Sequence, residues 1–186
     1  MNKSVMSILV ENNTGVLCRI SGLFSRRCYN IDSLSVGITE DPDISRITVV
    51  TSGDEDVIRQ IRAQVEKLVD VRSAVVLDNS TSVGRELTLV KVATDSATRE
   101  EIVNIAGIFR ARIIDVTSSS LVIELTGTPG KIKAFLQLME PFGILELVRT
   151  GLTAIQRGDI RAQYPRCADD LPFEMEDDVG DYEIGV

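Results

Sequence analysis

The chain of 186 residues contains no histidine and no tryptophan, and aromatic residues make up only 4% of it. Histidine titrates near neutral pH and is the commonest ligand of transition metals. Its absence therefore removes histidine general-base catalysis, Ser-His-Asp triads and most transition-metal sites. An enzyme is therefore less expected than a binding or regulatory protein. The few aromatic side chains and the net charge of −8 also argue against a nucleic-acid-binding module, which must stack bases and attract phosphates.

Long hydrophobic runs are absent as well. No stretch reaches the roughly 18 consecutive apolar residues of a membrane-spanning helix. Met1 to Lys3 lead directly into a predicted strand rather than into the apolar region of a signal peptide. We therefore expect a soluble, cytoplasmic protein without a membrane partner. The cysteines Cys18, Cys28 and Cys167 lack the spacing of a disulfide framework or a metal site, and we interpret them as reduced thiols.

What the chain does contain is a repeated order of predicted elements. Residues 20–27 and 105–112 share Ile, Gly, Phe and Arg at an offset of 85 positions. The hydrophobic patterns predict strand 4–10, helix 15–27, strand 31–39, strand 44–51, helix 55–67 and strand 70–78, then strand 85–93, helix 96–108, strand 111–117, strand 120–126, helix 129–139 and strand 143–150. Each half has the βαββαβ order of a ferredoxin-like unit. The predicted fold class is α+β, with two tandem ferredoxin-like domains.

Composition indicates where these domains end. Residues 79–84 are mostly polar and end in glycine, which is typical of a linker between a domain at 1–78 and a second at 85–158. The negative charge is concentrated after the second domain, because residues 159–186 hold nine acidic side chains and only two basic ones. We predict that this segment is an acidic and flexible tail.

A strand that runs through a polar turn into an amphipathic helix indicates a small-anion site. Asn12 lies in this turn, and Gly15 allows the backbone to approach a ligand closely. Free N–H groups at the helix start would attract a carboxylate, and Asn side-chain oxygens would accept from an ammonium group. Asn30 lies at the other end of the same helix, which makes a ligand that contacts both ends within one chain awkward, whereas a second copy of the chain could supply Asn30. Val16, Leu17 and Ile31 are predicted to contact an aliphatic side chain of the ligand.

A purely structural interpretation of these residues stands beside this one. Asn12 and Asn13 would then cap the helix, Gly15 would relax a turn, and Asn30 would be a C-terminal cap. The pair at 26–27 is interpreted as two basic side chains placed by the helix dipole. The spacing alone leaves the structural and the ligand-binding interpretations open.

The segments 11–17 and 22–31 resemble the regulatory small subunit of acetohydroxyacid synthase, also called acetolactate synthase. Further similar segments are 41–42, 45–46, 60–71, 85–87, 89–92, 113–116, 127–128 and 130–131. The resemblance implies an N-terminal ACT domain at 1–78 that binds an effector and dimerises. It also implies a non-catalytic homodimer that activates a catalytic large subunit and confers feedback inhibition by valine in branched-chain amino-acid synthesis. No cofactor is expected on this chain, whereas the large subunit would carry thiamine diphosphate and magnesium. Asn12, Gly15 and Asn30 fall on the family's effector positions.

Two further functions compete with this one. A stand-alone ACT-type amino-acid sensor would regulate a different enzyme with the same binding site. An acylphosphatase-like enzyme would bind phosphate at the strand-to-helix turn, with Arg19 as its clamp. Arg19 lies on the predicted helix rather than within the loop, which weakens the second alternative.

Overall fold

The computed structural model describes residues 2–78 and 80–158, and its first half is a sheet covered by two helices. The elements of this first unit are β1 (Asn2–Glu11), α1 (Val16–Arg26), β2 (Ile31–Ile38), β3 (Ile44–Gly53), α2 (Glu55–Val65) and β4 (Val71–Leu77). The strands form an antiparallel sheet in the order β2-β3-β1-β4. The predicted βαββαβ order is confirmed here.

The second half repeats this order and adds one strand. Its elements are β5 (Ser82–Ala93), α3 (Arg99–Ile108), β6 (Arg112–Val116), β7 (Ser120–Gly127), α4 (Pro129–Met139), a 3-10 turn (Glu140–Phe142), β8 (Ile144–Arg149) and β9 (Thr153–Gln156). The sheet order is β6-β7-β5-β8, and β9 pairs with the first four residues of β5. The predicted α+β class with tandem ferredoxin-like units is confirmed.

Each unit has its own apolar core between its sheet and its helices. Alternate strand residues face the helices, and each helix buries a stripe at the spacing of one helical turn. The first core contains Met6, Ile8, Val10, Val16, Ile20, Leu23, Phe24, Ile47, Val49, Ile58, Ile61 and Val65. The second contains Val90, Val92, Ile102, Ala106, Leu121, Ile123, Leu125, Ile132, Phe135 and Met139.

A smaller cluster joins the two units. Val5, Val50 and Leu77 project from the face of the first sheet that has no helices, and Ala154 of β9 packs against them. All four side chains are buried. The open face of the first sheet is thus partly covered by the end of the second unit.

The connection between the units differs from the predicted linker. β5 begins at Ser82, so the last part of the segment 79–84 is strand. These residues pair with β9 in a two-stranded ribbon, although their polar composition indicated a linker. β9 itself was not predicted. It has four residues, of which only Ala154 is buried, and so short a segment shows no clear alternation.

The repeat alignment also needs correction. Cys28 and Arg110 occupy equivalent positions after α1 and α3, with positive φ angles of 56° and 53°. The next N–H closes each helix in the same way, from Tyr29 to the carbonyl of Phe24 and from Ala111 to the carbonyl of Ala106. Equivalent residues are therefore 82 positions apart and not 85. The alignment built on shared Ile, Gly and Phe was wrong by about one helical turn.

The predicted acidic tail, 159–186, and Cys167 within it lie outside the described residues. Among the helices that the structure describes, none has both the length and the apolar character required to cross a membrane.

Candidate functional site

The turn between β1 and α1 is anchored by the side chain of Asn12. Its Nδ2 donates to the carbonyl oxygen of Pro42 at 2.9 Å, and its Oδ1 accepts from Ser45 Oγ at 3.0 Å. The backbone N–H of Asn12 donates to the carbonyl oxygen of Asp43 at 2.7 Å. Asn12 therefore joins the turn to the β2–β3 connection. The alternative interpretation of Asn12 as a helix cap is wrong.

Gly15 is the residue through which the chain enters α1. Its φ of 86° is left-handed, as expected of a glycine that relaxes a turn, and no side chain caps the helix behind it. The N–H of Val16 makes a long bond of 3.3 Å to the carbonyl of Asn13. The N–H groups of Leu17 and Cys18 have no acceptor within the part of the chain that the structure describes. The helix start is therefore left with free donors.

One edge of a guanidinium lies beside this helix start. The first turn of α1 contains no acidic residue. Arg19 Nη1 lies 3.7 Å from the place where a Cβ on Gly15 would be. The rest of its guanidinium is held by Asp70, with Nε to Oδ2 at 2.7 Å and Nη2 to Oδ1 at 2.9 Å. The helix dipole and one edge of Arg19 thus both favour an anion at this turn.

This ion pair also bears on the acylphosphatase alternative. A phosphate clamp needs a guanidinium that can present two donors to the ligand. Two donors of Arg19 already bind Asp70. Arg19 is therefore better placed to contribute a positive charge near the turn than to clamp a phosphate.

Asn30 lies just before β2 in a network of polar side chains. Its Nδ2 donates to Asp32 Oδ1 at 2.6 Å, and Ser52 Oγ donates to Asp32 Oδ2 at 2.5 Å. The hydroxyl of Thr51 donates to the Asn30 carbonyl at 2.6 Å. The bond from Ser52 is the main reason that the pKa of Asp32 is lowered, and Lys3 and Asn30 lower it further. Asp32 is thus ionised at neutral pH beside Asn30.

The apolar residues predicted for the site are not equally available. Val16 is 3% exposed and belongs to the first core, so it offers a ligand its backbone rather than its side chain. Leu17 is 42% exposed. Ile31 is half-buried and packs against the first core. Leu17 therefore lies at the surface beside the free donors, and Ile31 lies beside Asn30.

The structure does not bring the two halves of the predicted site together in one chain. Asn12 and Gly15 precede α1, whereas Asn30 and Ile31 follow it. At about 1.5 Å per residue, the 11 residues of α1 span about 16 Å. A ligand with the size of an amino acid cannot bridge that length.

Sequence reasoning missed two charged residues of this region. Arg19 was assigned only to the rival enzyme, although it lies one helical turn after Gly15 and so faces the same end of α1. Asp32 was not considered, although it is two positions from Asn30. Within residues 2–78 and 80–158, no three acidic or cysteine side chains are grouped as a metal site requires.

Two ferredoxin-like units in tandem, with an open strand-to-helix turn in the first, match the architecture of tandem ACT-type domains. A family profile described as an "AHAS small subunit-like ACT domain" matches residues 6–73, and one described as "Small subunit of acetolactate synthase" matches residues 85–158. The chain belongs to the family of acetolactate synthase small subunits.

Individual relatives agree with this assignment. An acetolactate synthase small subunit from Mycolicibacterium smegmatis is 46% identical over 153 residues, which cover 82% of this chain and 90% of that one. A probable small subunit from Archaeoglobus fulgidus is 47% identical over 157 residues, covering 84% and 98%. The crystal structure of the acetolactate synthase small subunit from Thermotoga maritima superposes with a TM-score of 0.81 at 37% identity, covering 86% of this chain and all of that one.

Proposed function

We propose that this chain is the non-catalytic regulatory subunit of an acetolactate synthase and that it binds a branched-chain amino acid, valine, between two copies of its first unit. Binding would convey feedback inhibition to a catalytic large subunit, which the small subunit otherwise activates. The observation that carries the proposal is the uncapped start of α1. Its free donors and nearby guanidinium suit a carboxylate.

The ammonium group of the ligand would be recognised at Asn30. The Nδ2 of Asn30 is engaged by Asp32, which leaves Oδ1 as the acceptor for an incoming N–H. The carboxylate of Asp32 lies at the same place, and Lys3 Nζ pairs with its Oδ2 at 3.5 Å. One end of α1 thus offers donors to a carboxylate and the other offers the acceptor Asn30 Oδ1 to an ammonium group, as a zwitterionic ligand requires.

A second copy of the chain would bring these two ends together. β2 is an edge strand, and its Val36 and Ile38 are 47% and 66% exposed. An unpaired edge with apolar side chains is suited to pairing with another strand. A two-fold axis beside β2 would place α1 of one protomer antiparallel to α1 of its partner, so that each Gly15 turn meets the other protomer's Asn30.

Chemistry would then belong to the partner of this chain. The thiamine diphosphate and magnesium of the synthase reaction would be held by the large subunit. The small subunit acts by a coupling free energy between its effector site and that partner, of about 1–3 kcal/mol or roughly 5- to 150-fold in affinity or activity. A stand-alone sensor would show the same effector site without a large-subunit partner. Co-purification with a thiamine-diphosphate synthase separates the two.

Calorimetry with valine, leucine and isoleucine tests the effector site on the isolated subunit and on its complex with the large subunit. Asn30→Ala is expected to weaken valine binding at least about tenfold, or 1.4 kcal/mol. Asn104→Ala, at an exposed position on α3, is the matched control and should leave binding unchanged. Absence of binding by all three amino acids in both preparations would contradict the proposal.

A further inference from the structure

Residues 151–153 rest on the open face of the first sheet, and we refer to them as the clasp. The N–H of Leu152 donates to Ser33 Oγ at 3.0 Å. The hydroxyls of Ser35 and Thr153 are 2.9 Å apart and share a hydrogen bond. Two alternate residues of β2 therefore hold two neighbouring residues of the second unit.

The fit of the clasp is closest at Gly151. Its φ of 81° is left-handed, and a Cβ at this position would lie 2.6 Å from Ser33 Oγ and 3.2 Å from the Leu34 carbonyl oxygen. Both distances are shorter than ordinary van der Waals contact. The clasp can thus approach β2 this closely only because residue 151 is glycine.

The clasp leads directly into the secondary structure of the second unit. Leu152 and Ala154 pack against Val5, Val50 and Leu77 of the first sheet. β9 then pairs with β5, which is also hydrogen bonded to β7 and β8. A displacement of the clasp would therefore reach the central strand of the second sheet.

A β-bulge connects the clasp to the proposed effector site. Ile31 pairs with Thr51 and Ser33 pairs with Val50, so Asp32 is an extra residue in β2. Because of this extra residue, Ile31 faces the helices and Ser33 faces the clasp. The bulged Asp32 is also the residue that binds the side chain of Asn30.

We infer that the clasp transmits effector binding from Asn30 and the bulge to the second unit, an inference that rests on the proposed function. An ammonium group at Asn30 Oδ1 places a positive charge beside the bulged Asp32, which binds Asn30 Nδ2. The bulge orients Ser33 and Ser35, and these two residues form hydrogen bonds to the clasp. An effector that binds one geometry of the bulge more tightly than another shifts the equilibrium between two positions of the clasp. The size of this shift is the difference between the two binding free energies.

The test compares two alanine substitutions at left-handed glycines. Gly151→Ala places a Cβ against Ser33 Oγ, whereas Gly158→Ala, at a φ of 67°, meets nothing within 4 Å. Valine affinity is measured by calorimetry on the small subunit, and inhibition is measured on the holoenzyme reconstituted with the large subunit. The Kd of Gly151→Ala for valine should stay within about threefold of the wild-type value. The factor by which saturating valine inhibits the holoenzyme should fall at least about fivefold. Gly158→Ala should match wild type in both measurements.

Full inhibition of Gly151→Ala at saturating valine would overturn the inference while leaving the proposed function intact. A wild-type holoenzyme that neither binds valine nor is inhibited by it would overturn both. Should Gly151→Ala fail to fold, Thr153→Val removes the bond to Ser35 without adding bulk. It should raise the half-inhibitory valine concentration about two- to threefold with unchanged affinity, and an unchanged half-inhibitory concentration would overturn the inference.

Discussion

The strand-to-helix turns of the two units follow the same topology, and no side chain caps α1 or α3, but the charges of the two turns differ. In the first unit, Gly15 leads into α1 with free donors and no acidic residue. In the second, Asp95 Oδ1 accepts from the N–H groups of Ala97 and Thr98 at 2.9 and 2.8 Å. Thr98 Oγ1 in turn accepts from the Asp95 N–H at 3.1 Å. The second turn thus contains its own anion.

This difference indicates why only one of two similar units is a candidate effector site. A carboxylate ligand at the second turn would have to displace Asp95 and would meet its negative charge. The hydrogen bond from the Thr98 N–H is the main reason that the pKa of Asp95 is lowered, so the group is ionised at neutral pH. The second turn therefore carries its own negative charge, whereas the first turn of α1 has no acidic residue and, under the proposed function, would receive its negative charge from the ligand.

The largest expected effect comes from making the first turn resemble the second. Gly15→Asp introduces a carboxylate where the ligand's carboxylate would lie, and it strains a residue whose φ is 86°. We expect valine binding to weaken more than about 100-fold, or 2.7 kcal/mol, and feedback inhibition to disappear while activation of the large subunit persists. Calorimetry and holoenzyme assays measure the two effects.

Gly107→Asp is the matched control for this charge, because a Cβ at that exposed position on α3 has open space. It should leave valine binding and inhibition as in wild type. Retained valine inhibition in Gly15→Asp would count directly against the site.

A second prediction concerns a buried ion pair of the second unit. The carboxylate of Glu86 is 5% exposed and is held by Arg149 at 2.6 and 2.8 Å. Arg149→Ala leaves this buried carboxylate without its partner. We expect a loss of about 2 kcal/mol in the free energy of unfolding, below the cost of breaking a fully buried pair because Arg149 itself is partly exposed.

Urea unfolding measures this loss, and the double variant Glu86→Gln/Arg149→Ala should recover part of it. A stability equal to wild type in Arg149→Ala would show that Glu86 does not depend on Arg149. Valine affinity should be unchanged in both variants.

The smallest effect is expected at the second turn itself. Asp95→Asn keeps an acceptor but removes the charge, and we expect a fall of about 2 °C in the melting temperature at pH 7. Because the folded-state pKa of Asp95 is lowered, its charge stabilises the fold above the unfolded-state pKa, and that stability is lost as pH falls through the folded-state value.

Thermal unfolding followed by circular dichroism between pH 7 and pH 3 tests this sign. The difference in melting temperature between wild type and variant should be constant at high pH and should disappear as pH falls below about 4. A difference that widens on acidification would contradict it.

The periodic parts of the fold could be predicted from the sequence, and the connections could not. The amphipathic stripe of α1 and the proline-initiated α4 lie where their patterns indicate. β9 escaped prediction because its pairing with β5 depends on contacts between distant parts of the chain. The site shows the same division. Gly15 was identifiable from local turn chemistry, but the bonds of Asn12 to Pro42 and Ser45 are long-range.

The most direct test of the account is complementation between two defective protomers. Neither the Gly15→Asp homodimer nor the Asn30→Ala homodimer should bind valine well. If each site combines the turn of one protomer with Asn30 of its partner, a mixed dimer retains one intact site. Calorimetry on the co-expressed, purified mixed dimer should then show about one valine per dimer at near wild-type affinity. A mixed dimer that binds no valine would show that the turn and Asn30 must belong to the same chain, and it would contradict the shared site.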